Sequence, residues 1–244
     1  TALREVDFQL EPGHIASIIG PNGAGKTTLF NILTGLLRPD AGEVLFGEKP
    51  VIGLRPDQIT ALGICRTFQN IRLFGNMTVI ENVLVGMHSR LTLSMPMVLA
   101  RTRRYHAAES RLWQRGAEFL RLTGLGRKAN EIARSLPYGD QRRLELARAL
   151  ASDPRLLLLD EPTAGMTSGE ARELMALLRR VIAELAVTIL LIEHNMRVVM
   201  EVSDRVTVLD YGERIAEGPP AVVQQDPRVI EACLGRRRWG RPEE

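Results

Sequence analysis

Apolar and polar positions alternate in two distinct textures along this chain. HIASII (14–19) is a short run with β-branched residues, and the glycine-rich GPNGAGKTT separates it from a helical pattern, LFNILTGLL. RLLLLDEP (155–162) and VTILLIE (187–193) are continuous apolar runs, each ending in acid, as strands buried on both faces read. RVTVLDYGERIAEG reads as a hairpin turning at Tyr211–Gly212, and AGEVLFGE as a short strand, Val44–Phe46, bracketed by Gly42 and Gly47. From about Val79 to Ala151 the texture changes to long helical periodicity, rich in Arg, Glu, Ala and Leu. At the start, TALREVDFQL alternates like a strand already under way; Thr1 is not an initiator Met, and residues upstream are expected to be missing.

These elements predict an α/β fold, with a mostly parallel sheet core carrying an antiparallel part. The core spans about 1–75 and 152–220, and a helical subdomain (about 76–151) is inserted into it. Residues 221–244 read as a short helix, within VIEACLG, followed by a tail bearing Arg236, Arg237, Arg238 and Arg241. Neither an internal repeat nor a low-complexity tract is present.

Composition narrows the classes. Of 244 residues, 45% are hydrophobic and 25% charged, as in ordinary globular chains, and a net charge of +3 is too small to imply a nucleic-acid partner. Cys65 and Cys233 have no metal-site spacing and suggest no disulfide framework, which fits a reducing cytoplasm. Nothing approaches the roughly 20 apolar residues of a membrane-spanning helix, and no signal peptide is expected. A role at a membrane would run through a partner. Lysine occurs only at 26, 49 and 128, which singles out Lys26.

Gly20-Pro21-Asn22-Gly23-Ala24-Gly25-Lys26-Thr27 matches the phosphate-loop pattern GxxxxGK[ST], and Thr28 continues it into the predicted helix. Glycines let backbone N–H groups turn inward around a polyphosphate, and the helix start aims its positive end at the same anions. Lys26 would reach the β- and γ-phosphates, and the Thr27 hydroxyl would ligate Mg²⁺. Asp160, at the end of the second apolar run, would enter the Mg²⁺ shell, and Glu161 would polarise an attacking water. Alone, the first motif can be a chance turn and the second a core strand ending at the surface; together they define a P-loop NTPase. A GTPase is disfavoured because no Asn-Lys pair exists for base recognition.

The run LPYGDQRRLELARALASDPRLLLLDEPTAG (136–165) resembles the signature, Walker B and D-loop segment of ABC-transporter ATPases. Gln69 in RTFQN falls where that family carries its Q-loop glutamine, and His194 in LLIEHNM at its switch histidine, so the resemblance covers the chain with every element in order. It implies a P-loop fold of the ABC type, ATP and Mg²⁺ as ligands, and two such subunits meeting head to tail. Gln69 would contact Mg²⁺ and water and sense a membrane subunit. His194 would bond the γ-phosphate and orient Glu161. Leu136, Tyr138, Gly139 and Asp140 would cap ATP held by the opposite subunit. Pro137 departs from the usual Ser and offers neither hydroxyl nor N–H. The helix would begin at Asp140–Arg143 with Asp140 as a reasonable N-cap, its charge close to phosphate. Thr167 replaces the usual D-loop Asp or Asn, its hydroxyl still able to bond across a dimer. The family's adenine-stacking aromatic would lie upstream of Thr1, which predicts poor discrimination between ATP and GTP. Phe8 would pack in the core.

RTFQNIRLFGNMTVIENVLVGMH (66–88) and VLDYGERIAEGPPAVVQQDPRVIEACLG (208–235) are similar to ATPase subunits that import branched-chain amino acids, as is the long insertion around 90–130. The implied partners are a second ATPase subunit (homo- or heterodimer), transmembrane permease subunits and, indirectly, a substrate-binding protein, with the chain peripheral on the cytoplasmic face. No nucleic acid is expected. Relatives that serve urea, amides or other amino acids are alternatives, as is an exporter subunit. A soluble ABC ATPase of DNA repair or translation is the rival from another class, but the coiled-coil insertions or paired domains of such proteins are absent. Ile71, Leu73 and Phe74 would line the groove that receives a permease helix, packing into the core being the other reading.

Overall fold

In the computed structural model, residues 2–87 and 103–234 are described. Residues 88–102, which include the start of the insertion around 90–130, and the arginines after 234 lie outside the described residues.

The centre of the molecule is a six-stranded sheet. Its strands are β1 (Ile15–Ile19), β4 (Ile64–Arg66), β5 (Leu156–Asp160), β6 (Thr188–Ile192), β7 (Arg205–Asp210) and β8 (Glu213–Gly218). The order β4-β5-β6-β1-β7-β8 is parallel throughout except for the β7–β8 hairpin. β1, β5 and β6 are buried along their whole length, which explains why their sequences are continuous apolar runs. Ser17, polar in mid-strand, is satisfied by Ser203 Oγ at 2.5 Å. Tyr211 and Gly212 both take left-handed φ (45° and 83°), as the tight hairpin turn requires.

The register decides what the sheet can present. Ile192 of β6 lies opposite both Asp160 of β5 and Ile18 of β1, so three strands end side by side. Everything that follows them emerges at one edge, the carboxyl ends where open α/β sheets bind ligands.

α1 (Lys26–Leu33) leaves β1, and a small antiparallel pair, β2 (Leu45–Phe46) with β3 (Lys49–Pro50), packs nearby, followed by α2 (Pro56–Leu62). The predicted helix through Leu37 stops early. Gly35 is left-handed at φ 70°, and Leu36 N–H returns to Asn31 O at 2.8 Å, closing the end. The first ten residues also differ from expectation. Leu3, Val6, Phe8 and Leu10 turn inward onto the α1 side of the core, as the alternation and the reading of Phe8 predict. Yet no ladder forms there among the described residues; Arg4 N–H donates instead to Gly212 O (2.7 Å).

The other face of the sheet is covered by α3 (Val79–Met87), α4 (Arg103–Leu122), α5 (Tyr138–Ala151) and α6 (Ser168–Leu185). One apolar cluster runs from Val79, Val83 and Leu120 through Leu144 and Leu150 to Leu157, Leu159 and Leu191. The helices and the sheet therefore share a core, and truncating Leu157 to Ala would cost about 2–5 kcal/mol. α7 (Met196–Val202), α8 (Pro220–Val223) and α9 (Pro227–Leu234) close the β7–β8 side. No helix among the described residues is long and apolar enough to cross a membrane.

Candidate nucleotide site

The loop between β1 and α1 is shaped by glycine at two positions. A Cβ on Gly20 (φ 146°) would lie 2.0 Å from Leu209 O, and one on Gly25 (φ 99°) 2.6 Å from Ala2 O. Gly25 caps α1 in a left-handed conformation without any side-chain hydrogen bond. The N–H groups of the first turn therefore stay available, with no acid beside them. Lys26 is buried, and its Nζ donates to Gly20 O (2.7 Å) and Pro21 O (2.8 Å). A cavity of about 190 Å³ is lined by Ala2, the loop from Asn22 to Thr28, Glu161 and His194.

Glu161 sits on the turn after β5 with a left-handed φ of 48°, unusual for a residue with a side chain. Its N–H donates to Ile192 O (2.9 Å), and both carboxylate oxygens are taken: Gln69 Nε2 donates to Oε2 (2.9 Å), and His194 Nε2 bonds Oε1. The strand order explains the meeting. Gln69 follows β4, Glu161 follows β5 and His194 follows β6, three adjacent strands.

Asp160 is not on the cavity wall. Its carboxylate is buried against Arg66, whose Nη2 donates to Oδ2 at 2.6 Å, with side-chain exposures of 7% and 6%. Arg66 Nη1 also donates to Asn31 Oδ1 on α1 (2.7 Å), and its guanidinium lies over the rings of Phe30 and Phe68. The donor set suits a cation that keeps much of its water: one hydroxyl (Thr27), one carboxylate (Asp160), and substrate phosphates for the remainder. No group of three or more His, Cys, Asp or Glu that could hold a metal occurs among the described residues.

The 136–140 segment lies apart from this cavity. Leu136 is buried in the core, Tyr138 is half exposed, and a Cβ on Gly139 would meet Glu170 Oε1 at 2.8 Å. α5 starts at Tyr138 with Pro137 as its cap, two residues earlier than expected, because proline's fixed φ suits an extended cap. Asp140 is thus not an N-cap. It stands in the first turn and pairs with Lys128, which neutralises its charge and raises the lysine's pKa. The Thr167 hydroxyl is used within the chain, where it caps α6, accepting from Glu170 N–H (3.3 Å) and donating to Glu170 Oε2 (2.7 Å).

Three charged residues near these groups escaped the sequence reading: Arg66, Arg142 and Glu193. Glu193 is buried and accepts from the N–H groups of Thr163 and His194, both at 3.0 Å, so it ties the turn after Glu161 to the histidine. Its position next to His194 in LLIEHN was the available signal.

A phosphate loop on the central strand, facing a bracketed carboxylate on the strand two places away, defines a P-loop ATPase. The chain belongs to the ABC transporter family: the model described as "ABC transporter" matches residues 3–164, and "Branched-chain amino acid ATP-binding cassette transporter" matches 213–238. It is 45% identical to the high-affinity branched-chain amino acid transport ATP-binding protein LivG of Escherichia coli K12, over 96% of this chain and 92% of that one. Among solved structures it is similar to the ADP conformation of MJ1267, an ATP-binding cassette of an ABC transporter. There the TM-score is 0.81 and the identity 31%, over 96% and 93% of the two chains. It also resembles the dimeric post-hydrolysis cassette MJ0796 bound to ADP and Pi (TM-score 0.74, 29% identity, 90% of each chain).

Proposed function

We propose that this chain hydrolyses MgATP at the Glu161 site to drive import of branched-chain amino acids through permease subunits. The observation that carries the chemistry is the placing of Glu161 at the loop cavity with Gln69 and His194 on its two oxygens. Glu161 takes the proton of the attacking water. His194 and Gln69 hold its carboxylate in place, and His194 faces the γ-phosphate position. The loop amides and Lys26 cradle the phosphates. Thr27, Asp160 and Gln69 would hold Mg²⁺, whose charge would offset that of the phosphates.

In this reading, 1–75 with 152–220 is the ATP-binding core, 76–151 the signature subdomain, and 221–244 a C-terminal appendage. Leu136, Tyr138, Gly139 and Asp140 serve the ATP of a second subunit; that none of them lines the chain's own cavity supports this, as does the dimeric MJ0796 cassette. The cargo is supported by the LivG likeness and the 213–238 match. The subunit then works peripherally on the cytoplasmic face, with a binding protein delivering substrate from the other side.

In this reading Phe74 is the permease contact, supported by its 47% exposure, whereas its neighbour Leu73 packs against the core. Phe74→Asp in the reconstituted transporter tests this. Basal ATPase of the isolated subunit stays near normal, and stimulation by leucine with its binding protein is lost. Full stimulation would move the coupling surface elsewhere, and stimulation by another solute class alone would replace the cargo.

A further inference from the structure

Arg142, on α5, has a side chain only 4% exposed, and the chemistry above gives it no task. Its Nη1 donates to Phe68 O (3.0 Å), and its Nη2 donates to Gln69 O. Those two carbonyls flank the Gln69 Cα, so one planar guanidinium grips the backbone on both sides of the residue whose amide reaches Glu161. Nη2 also donates to Tyr138 Oη (3.0 Å), and that hydroxyl donates in turn to Ala164 O (3.0 Å). The Tyr138 ring then packs on the next residue: a Cβ on Gly165 would stand 3.3 Å from its Cε1. Three segments far apart in sequence (68–69, 138–142 and 164–165) are joined through a single side chain and its tyrosine.

The counter-charge is Glu145, whose Oε2 accepts from Arg142 Nη1 at 3.2 Å and whose side chain is 3% exposed. Burial pushes the Glu145 carboxyl up and the arginine pulls it back. Arg142 Nε and Glu145 Oε1 have no hydrogen-bond partner among the described residues. Beside them is a cavity of about 10 Å³, lined in part by Thr67, Arg142 and Glu145, room for about one water. An ion pair buried this way is a poor source of stability, since desolvation offsets most of the attraction. What the pair supplies is geometry.

We propose that Arg142 is a positioning residue that clasps the Gln69 backbone to α5 and, through Tyr138, to the turn after Glu161. A displacement of any one of the three segments then carries the other two, and the Gln69 amide stays presented to Glu161 only while the clasp is closed. This rests on the reading of Gln69 and Glu161 as the reacting-site pair.

The test uses the full chain with Arg142→Met/Glu145→Leu, which removes both charges and leaves apolar side chains of similar size, and with Arg142→Lys, which keeps the charge and loses the fork. Hydrogen exchange is followed at 67–72 and 163–167, with kcat and KM for ATP measured alongside. The expected result in both variants is native melting with exchange at both segments faster by about tenfold. kcat should fall about 10- to 100-fold with KM within about threefold, the scale of a misplaced reacting group. Adding Gln69→Ala should cause no further loss, because both changes act on one group. If the double variant does not fold, Arg142→Lys decides. Wild-type exchange, or fast exchange with undiminished kcat, overturns the clasp. If Gln69→Ala alone keeps full turnover, the catalytic reading falls, and the clasp is then judged by exchange.

Discussion

Two helices, α1 and α5, begin without any side-chain cap, and they reach that state by opposite means. At α1 the shape comes from the backbone: Gly20 and Gly25 stand where any Cβ would strike a carbonyl oxygen. At α5 it comes from side chains: Pro137 sets the entry, Lys128 neutralises Asp140, and Arg142 and Tyr138 tie the first turn to its surroundings. α6, by contrast, is capped by a side chain: the Thr167 hydroxyl accepts from Glu170 N–H, and the Glu170 carboxylate accepts from Thr167 N–H. An uncapped start costs about 1 kcal/mol relative to a good cap. Starts left open in this way hold donors ready for something outside the chain. The difference also sets how each can vary. A backbone-built site fixes its glycines, whereas one built by side-chain pairs can exchange partners in sets.

The largest effect should come from the loop side. Glu161→Gln removes the general base and should lower kcat by about 10²–10⁴. MgATP binding should persist and an ATP-bound dimer accumulate, seen by steady-state turnover and size-exclusion chromatography. Retained turnover would show that another group activates the water. Next is Lys26→Ala, which removes a charge-assisted contact of about 1.5–3 kcal/mol and should weaken MgATP binding about 10- to 100-fold at unchanged melting temperature. Unchanged affinity by calorimetry would undo the phosphate-loop assignment.

On the α5 side the changes should be milder. Pro137→Ser supplies a capping hydroxyl, should add about 1 kcal/mol and should raise the melting temperature by about 2–4 °C. ATPase activity should stay within about threefold, because Pro137 contributes no polar group to lose. A large rise in kcat would mean that the α5 start is limited by the missing hydroxyl.

The smallest effect concerns acid. The backbone N–H and hydroxyl of Thr167 hold the Glu170 carboxyl below the usual glutamate range. The stabilisation is complete above the unfolded glutamate pKa and is lost as pH falls through the lower native value. Glu170→Gln should therefore flatten the acid limb of a denaturant-midpoint series without altering neutral pH behaviour beyond the loss of one cap. An unchanged acid limb would remove the cap from the account.

The phosphate loop, the three buried strands and the β7–β8 hairpin were legible because each is a local pattern. Glycine spacing, an unbroken apolar run and a Tyr-Gly turn need no knowledge of neighbours. Glu161 was legible from its place after Asp160 at the end of an apolar run, whereas Gln69 and His194 were found only through resemblance, since nothing local tells that β4, β5 and β6 are adjacent. Arg66 and Asp160 are 94 positions apart in the chain, and Arg142 reaches Gln69 across 73. Such pairings depend on strand order, which apolar periodicity does not encode. The Asp140 cap failed for a local reason: a carboxylate near a helix start reads the same at the cap as in the first turn, and here Pro137 and Lys128 decide between them.

Glu161 holds a backbone shape that glycine adopts without penalty, at φ 48°. Such a conformation costs of order 1–3 kcal/mol for a residue with a side chain. Glu161→Gly would therefore relax the turn while abolishing the base. A heat-challenge selection run on this protein without an activity gate would enrich dead enzyme, and thermal robustness in a natural homologue would be no sign that it still works.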